Sequence, residues 1–378
     1  MVACGHGVVV YPTSAAAGEI TNYLRLFMNG DAAVTLFFVL SGLVLGMGLQ
    51  REGNGSIQSF ASYATRRIFR IYPVFFMSTL AVLAFLFLGH QWWGDNVWFN
   101  HVLRYRQSVL NTDALPSESV IRANLFLLNP SMNLVTWTLG VELFCSLLLP
   151  FTHYLRVRLP ASGIWLLLAI CVFLIFLGKW FLIMGWVELE GSFNWSILGY
   201  LFLFYLGYLL PILGPRCFGR FKSKPRVTTI VIFVLTTVWL SAERWPDTHR
   251  FAAGAAVWGF LGLMLYGSDL RLFEVLDSYW ARHLGKISYS FYLLHDLVLI
   301  VIARCVAHWI FGGSIPASPL LANFALTIGS VFAAVILASL THRYIELPGV
   351  RCGKFISQLL RARLAGPIPS VQSISASR

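Results

Sequence analysis

Charge is what this chain of 378 residues has least of: Asp, Glu, Lys and Arg together supply only 12% of it, against about 25% in an ordinary soluble domain. So few ionic groups cannot coat a water-soluble particle of this size, which excludes a soluble enzyme of one or two domains. Cysteine is also sparse. Cys4, Cys145, Cys171, Cys217, Cys305 and Cys352 lie far apart without a C-x-x-C pair. A disulfide framework or zinc knuckle is therefore not expected, no metal site is assigned, and the six read as small buried hydrophobes. The G-x-S-x-G elbow, the H-E-x-x-H helix and the P-loop are all missing, which removes the chemistries those motifs carry. No inverted repeat relates the two halves, which counts against a secondary transporter. Polar low-complexity sequence is too scarce for general disorder.

What is abundant is apolar: 57% hydrophobic and 15% aromatic residues, with a mean hydropathy of +0.71. Runs long enough for a spanning helix, about 20 residues, occur near 32–49, 71–89, 133–151, 163–178, 194–213, 227–242, 251–267, 286–303 and 321–341. Val2–Tyr11 is apolar but too short to cross a bilayer, and reads as the end of a helix whose beginning is missing. No charged segment and cleavage site mark it as a signal peptide. Counted over alternate loops, twenty of the 28 Lys and Arg fall in one set and eight in the other. The positive-inside rule then places the richer set, with the C-terminus, in the cytoplasm. The net charge of +12 is accounted for by this asymmetry, so nucleic acid is not the expected partner. The expectation is an all-α, polytopic, multi-pass integral membrane bundle of about ten transmembrane helices, the first truncated. Residues 1–347 form the membrane domain, and 348–378 a basic, partly disordered cytoplasmic tail. The longest loop, 90–130, carries Trp92, Trp93 and Trp98 and is assigned to the outside.

Ionisable side chains inside a span cost about 2.5–3.5 kcal/mol each and suggest function. They are His6, Glu142, His295 and Asp296. The plainer reading of a lone intramembrane His is a helix-to-helix hydrogen bond. It serves less well for Glu142, because a buried carboxylate must find a partner or stay protonated. His295 and Asp296 are adjacent and point in different directions on a helix, with Tyr292 one turn before them. Asp296 admits the simpler explanation of a place near the outer water boundary. Arg66, Arg67 and Arg70 stand at three- and four-residue spacing, on one helix face, at the start of a span. Three guanidiniums there suit a phosphate, and ordinary cytoplasmic anchoring is the competing explanation. Gly42 and Gly46 form a small-x-x-x-small pair for close helix packing, with Phe37 and Phe38 in the core or facing lipid.

Six sequence elements then stand in a telling order: Gly5-His6-Gly7, Leu36-Phe37-Phe38-Val39-Leu40-Ser41-Gly42, Arg67-Ile68-Phe69-Arg70-Ile71-Tyr72-Pro73, Trp137-Thr138-Leu139-Gly140-Val141-Glu142, Ile287-Ser288-Tyr289-Ser290-Phe291-Tyr292-Leu293-Leu294-His295 and Tyr344-Ile345-Glu346-Leu347-Pro348. Together they make the chain resemble the membrane acyltransferase-3 family of integral membrane O-acyltransferases. The resemblance implies transfer of an acyl group, acetyl foremost, from cytoplasmic acyl-CoA as a donor substrate. The acceptor would be a hydroxyl of a saccharide, a lipid-linked sugar or a secondary metabolite. No cofactor would be bound permanently. By resemblance His6 is the essential histidine, Arg67 and Arg70 the paired arginines, and Trp137 and Glu142 the Trp-Ser-Leu-x-x-Glu element, with Thr138 in place of the usual Ser.

The chemistry assigns His6 as base for the acceptor hydroxyl, or as acyl-accepting nucleophile, with Glu142 orienting its ring. Arg66, Arg67 and Arg70 would hold the CoA phosphates. Trp137, Tyr292 and His295 would line the substrate path, and His295 is also placed to polarise the thioester carbonyl. A polytopic transporter or flippase, and a catalytically inactive truncated member, are the alternatives.

Overall fold

The computed structural model describes residues 2–7, 29–52, 57–93, 116–127, 132–160, 162–183, 195–241, 249–267, 271–310 and 317–364. Trp98, Val8–Tyr11 of the N-terminal apolar stretch and the last fourteen residues of the tail, 365–378, lie outside them. So do the side chains of Trp92 and Trp93.

Among the described residues the architecture is a helix bundle without a strand. In chain order the helices are α1 Val2–Gly7, α2 Gly30–Glu52, α3 Ile57–Trp93, α4 Glu118–Leu125, α5 Trp137–Arg158, α6 Gly163–Ile183, α7 Leu201–Phe218, α8 Pro225–Ser241, α9 His249–Gly262, α10 Tyr279–Trp309, α11 Pro319–Thr341 and α12 Leu347–Leu364. Six are long and apolar enough to cross a membrane, and three shorter apolar helices accompany them. These nine coincide with the nine apolar runs of the sequence. The reason is that hydrocarbon offers backbone groups no partner, so an apolar run there must satisfy its own hydrogen bonds as a helix. The outward faces carry Phe173, Phe233, Ile328 and Phe332, each more than half exposed, as befits surfaces solvated by lipid.

Helix starts follow the capping rules. Asn29 accepts from the Ala32 amide (2.9 Å) at the head of α2 while its own amide donates to the Leu240 carbonyl (3.0 Å). Trp239 Nε1 donates to the Ala32 carbonyl (2.7 Å), so the end of α8 is tied to that cap. Ser278 caps α10 through the Ala281 amide (3.3 Å).

The closest packing is between α2 and α7. A methyl group on Gly42 would run into the Phe204 carbonyl, and one on Gly207 into the Val39 carbonyl. In lipid, helices associate through van der Waals contact rather than hydrophobic collapse, so small residues at this crossing set the approach. Phe38, Phe204, Tyr205 and Tyr208 are buried beside it.

On the other side of the bundle, α3 runs 37 residues, about 55 Å at 1.5 Å per residue, well beyond the 30 Å of a hydrocarbon core. The helix thus begins before the apolar run at 71–89 and carries Arg66, Arg67 and Arg70 ahead of it. Residues Leu347–Leu364, the first part of the basic C-terminal segment, form α12 and pack along that same part of α3. Ser62 and Ser357 hydroxyls meet there at 2.6 Å. The cysteines divide: Cys145 and Cys171 are buried, as expected, but Cys352 is exposed on α12.

Candidate functional site

A hollow of about 220 Å³ opens where α2, α3, α5 and α10 meet. Its polar lining is Arg70, Glu142, Ser288, Tyr289 and Tyr292, set among Phe37, Ile71 and Leu139. Residues from four sequence elements far apart in the chain therefore share one cavity. Phe37 divides its role from that of Phe38: it is 39% exposed at the hollow, whereas Phe38 is buried completely.

The three arginines do not act on one face. Arg67 is buried and pairs with Glu142, Nη2 to Oε1 at 3.0 Å. Arg70 reaches the hollow and is exposed. Arg66 turns toward α12, where Nη1 donates to the Ser62 and Ser357 hydroxyls (3.3 and 3.2 Å) and Arg361 Nε donates to Ser62 (2.8 Å). The i, i+1 and i+4 spacing sets the three only roughly together, and neighbouring helices sort them by what each can offer.

On the α10 side, the Thr138 hydroxyl lies 3.0 Å from the Tyr292 hydroxyl, so the threonine at the position of the expected serine keeps a working hydrogen bond. Tyr289 donates to the Ile71 carbonyl at 2.6 Å. Beneath them, Ser290 donates to buried Glu346 (2.7 Å), which also pairs with His342 at 3.0 Å. Asn133 donates to the Leu293 carbonyl (3.0 Å) and fixes the approach to α5 against α10. Trp137, assigned to the substrate path, does not line the hollow. It packs half-buried against Tyr200 and Phe38, with ring centroids at 5.6 and 6.4 Å.

From the hollow a column of rings leads to His6. Phe37 and Tyr292 stack at 6.4 Å, Tyr292 and His295 approach at 5.7 Å, and His295 stacks on His6 at 5.4 Å. His295 stands seven positions after Ser288, about 10 Å further along α10, beyond the part of that helix that lines the hollow. His295 Nδ1 is 2.7 Å from the Tyr292 carbonyl. A carbonyl only accepts, so this nitrogen is the donor.

The structure corrects the partner expected for His6. The carboxylate beside it is Asp296, Oδ1 at 3.4 Å from Nδ1, while Glu142 is held by Arg67. Asp296 is wholly buried and does not sit at a water boundary. The sequence signal for it was present, since a carboxylate in the middle of an apolar run costs as much as Glu142 does. Its meaning depended on α1 packing against α10 and α11, which no local pattern encodes.

Residues 1–339 match a protein family described as an acyltransferase domain. No curated protein and no solved structure matches the chain.

Proposed function

The chain belongs to the acyltransferase-3 family, a family of membrane acyltransferases, and from that premise we propose an O-acyltransferase that moves an acyl group, acetyl foremost, from cytoplasmic acyl-CoA to a hydroxyl of a saccharide or lipid-linked acceptor on the far side. The observation that carries this reading is the hollow holding Arg70 and Tyr292, joined to His6 by a column of aromatic rings.

The donor's phosphates meet Arg70 and Arg66 at the basic end of α3, where α12 also docks. This end faces the cytoplasm on the distribution of Lys and Arg. Arginine suits the task because its planar fork matches phosphate oxygens and stays charged. Glu142 keeps Arg67 in place, so that the wall of the hollow has a fixed polar face. The pantetheine arm extends past Tyr292 toward His6. There the acceptor oxygen attacks the thioester carbonyl as His6 Nε2 takes its proton. The C–O bond forms, the C–S bond breaks, and the departing sulfur receives that proton. His295 lines the path between hollow and base.

The experiment is to reconstitute the protein in lipid nanodiscs with radiolabelled acetyl-CoA and saccharide or lipid-linked saccharide fractions. Label is expected in an alkali-labile ester of the acceptor, with one CoA thiol released per ester. Label retained on CoA with every acceptor fraction overturns the proposal. Movement of an unacylated solute across sealed vesicles without acyl-CoA would point to transport instead.

A further inference from the structure

We propose that Asp296 is the positioning residue for His6: it holds the Nδ1 proton of the imidazole and leaves Nε2 as the reacting nitrogen. The inference deepens the acyltransfer reading and rests on it for the reaction, though not for the pairing. Three observations carry it. Asp296 is wholly buried in the middle of α10, where a carboxylate persists only with a donor or positive partner. His6 Nδ1 stands 3.4 Å from Oδ1, and the His6 side chain is still 23% exposed, so one edge of the ring faces the acid while the ring remains reachable. The neighbouring imidazole cannot substitute. His295 has committed Nδ1 to the Tyr292 carbonyl, and adjacent residues on a helix project about 100° apart.

Among the described residues, Asp296 is the carboxylate that stands against His6. α11 contributes Asn323, Thr327 and Ser330 but no ionisable residue within Pro319–Thr341. α2 brings Asp31 in its first turn, which acts on Tyr292 electrostatically. On α10 the titratable groups beside His6 are Asp296 and His295, and on α1 itself Cys4. Asp296 takes no proton in the reaction. It fixes the tautomer and steadies the imidazolium that forms when the acceptor is deprotonated. At 3.4 Å the two groups stand in ion-pair contact rather than in a formed hydrogen bond, and apo sites often tighten when substrate draws such groups together.

The experiment uses the full chain in nanodiscs and two readouts. The first is carbethoxylation of His6 by diethyl pyrocarbonate, followed by peptide mass spectrometry, with His283 on the distant part of α10 as internal reference. The second is release of CoA from acetyl-CoA in the presence of the saccharide or lipid-linked acceptor fractions. D296N is expected to slow His6 modification about tenfold relative to His283, and to lower CoA release about hundredfold. D296E should recover part of the loss, leaving both about threefold below wild type, and D296N should cause no further loss in an H6A background. Equal His6 reactivity in wild type and D296N overturns the proposal. Should D296N not be recovered in membranes, D296E decides: the shift of the carboxylate by one methylene is expected to slow His6 modification about threefold, and an unchanged rate sinks the idea. If wild-type protein releases no CoA, the acyltransfer reading fails while the carbethoxylation contrast still tests the pairing.

Discussion

Two seams of this bundle solve opposite problems. Where α2 crosses α7, Gly42 and Gly207 bring backbones into contact, and Phe38, Phe204 and Tyr205 fill the remaining space. Where α2, α3, α5 and α10 meet, the space is left open, and its walls carry Glu142, held from behind by Arg67, with Arg70 and three hydroxyls. The first seam depends on volume and the second on charge. Lipid makes the contrast sharp, because it neither drives apolar helices together nor solvates an unpaired ion. Substitutions should therefore separate stability, held largely by the dry seam, from chemistry, confined to the polar one.

The largest effect on chemistry is expected at His6. His6→Ala should lower transfer of labelled acetyl groups by about 10³-fold, the scale of a lost general base. Thermal stability in detergent should fall far less than transfer does, by what it costs to leave buried Asp296 without its imidazole. Retained transfer would remove His6 from the mechanism and leave the polar seam without its reacting group.

Next comes a pair that belongs to both categories. Removing one partner of a buried ion pair strands the other, at a cost of about 3–5 kcal/mol, whereas replacing both by apolar residues is often neutral. Glu142→Leu alone should lower the unfolding temperature markedly, and Arg67→Met with Glu142→Leu should recover most of the loss. The double variant should still transfer poorly, because the hollow has lost a polar wall. Full activity in it would make the pair purely structural.

On the dry seam the expected change is smaller and purely mechanical. Gly42→Ala or Gly207→Ala inserts a methyl against a backbone carbonyl, and overpacking of this kind costs about 1–3 kcal/mol. Transfer per folded molecule should remain at the wild-type rate. A loss of rate without a loss of stability would mean that the two seams are mechanically coupled.

How much of this was legible in the sequence follows from the same physics. Every apolar run became a helix because the bilayer admits no other solution, and Gly42 marked its seam because small residues four apart have few other uses in lipid. The ionisable residues announced themselves by their cost. Their pairing did not, because Arg67 and Glu142 are 75 residues apart, and His6 and Asp296 further still, on helices whose contact is decided by the whole bundle. Periodicity put Arg66, Arg67 and Arg70 on one face. It could not tell that Glu142 would take one, Ser357 of α12 another, and the hollow the third. α12 itself was hidden for a related reason: its basic, weakly apolar sequence needs α3 beneath it to read as a docked helix.

That division of the arginines supplies the mildest and most specific test. If Arg70 attracts donor phosphates, its loss weakens ground-state binding and leaves the reacting atoms alone, so KM for acetyl-CoA should rise while kcat stays close to wild type. Arg70→Gln should raise KM about fivefold and Arg70→Glu about tenfold or more, the expected range for a partly solvated ion pair with phosphate. The effect should shrink as salt is added, because an exposed guanidinium is screened over about 8 Å at physiological ionic strength. Arg66 offers the comparison. Its guanidinium is anchored on Ser62 and Ser357, so Arg66→Gln should combine a smaller rise in KM with a loosened α12, read as faster hydrogen exchange in Leu347–Leu364. A KM that ignores Arg70 and follows Arg66 instead would move the donor's phosphates from the hollow's mouth to the groove between α3 and α12.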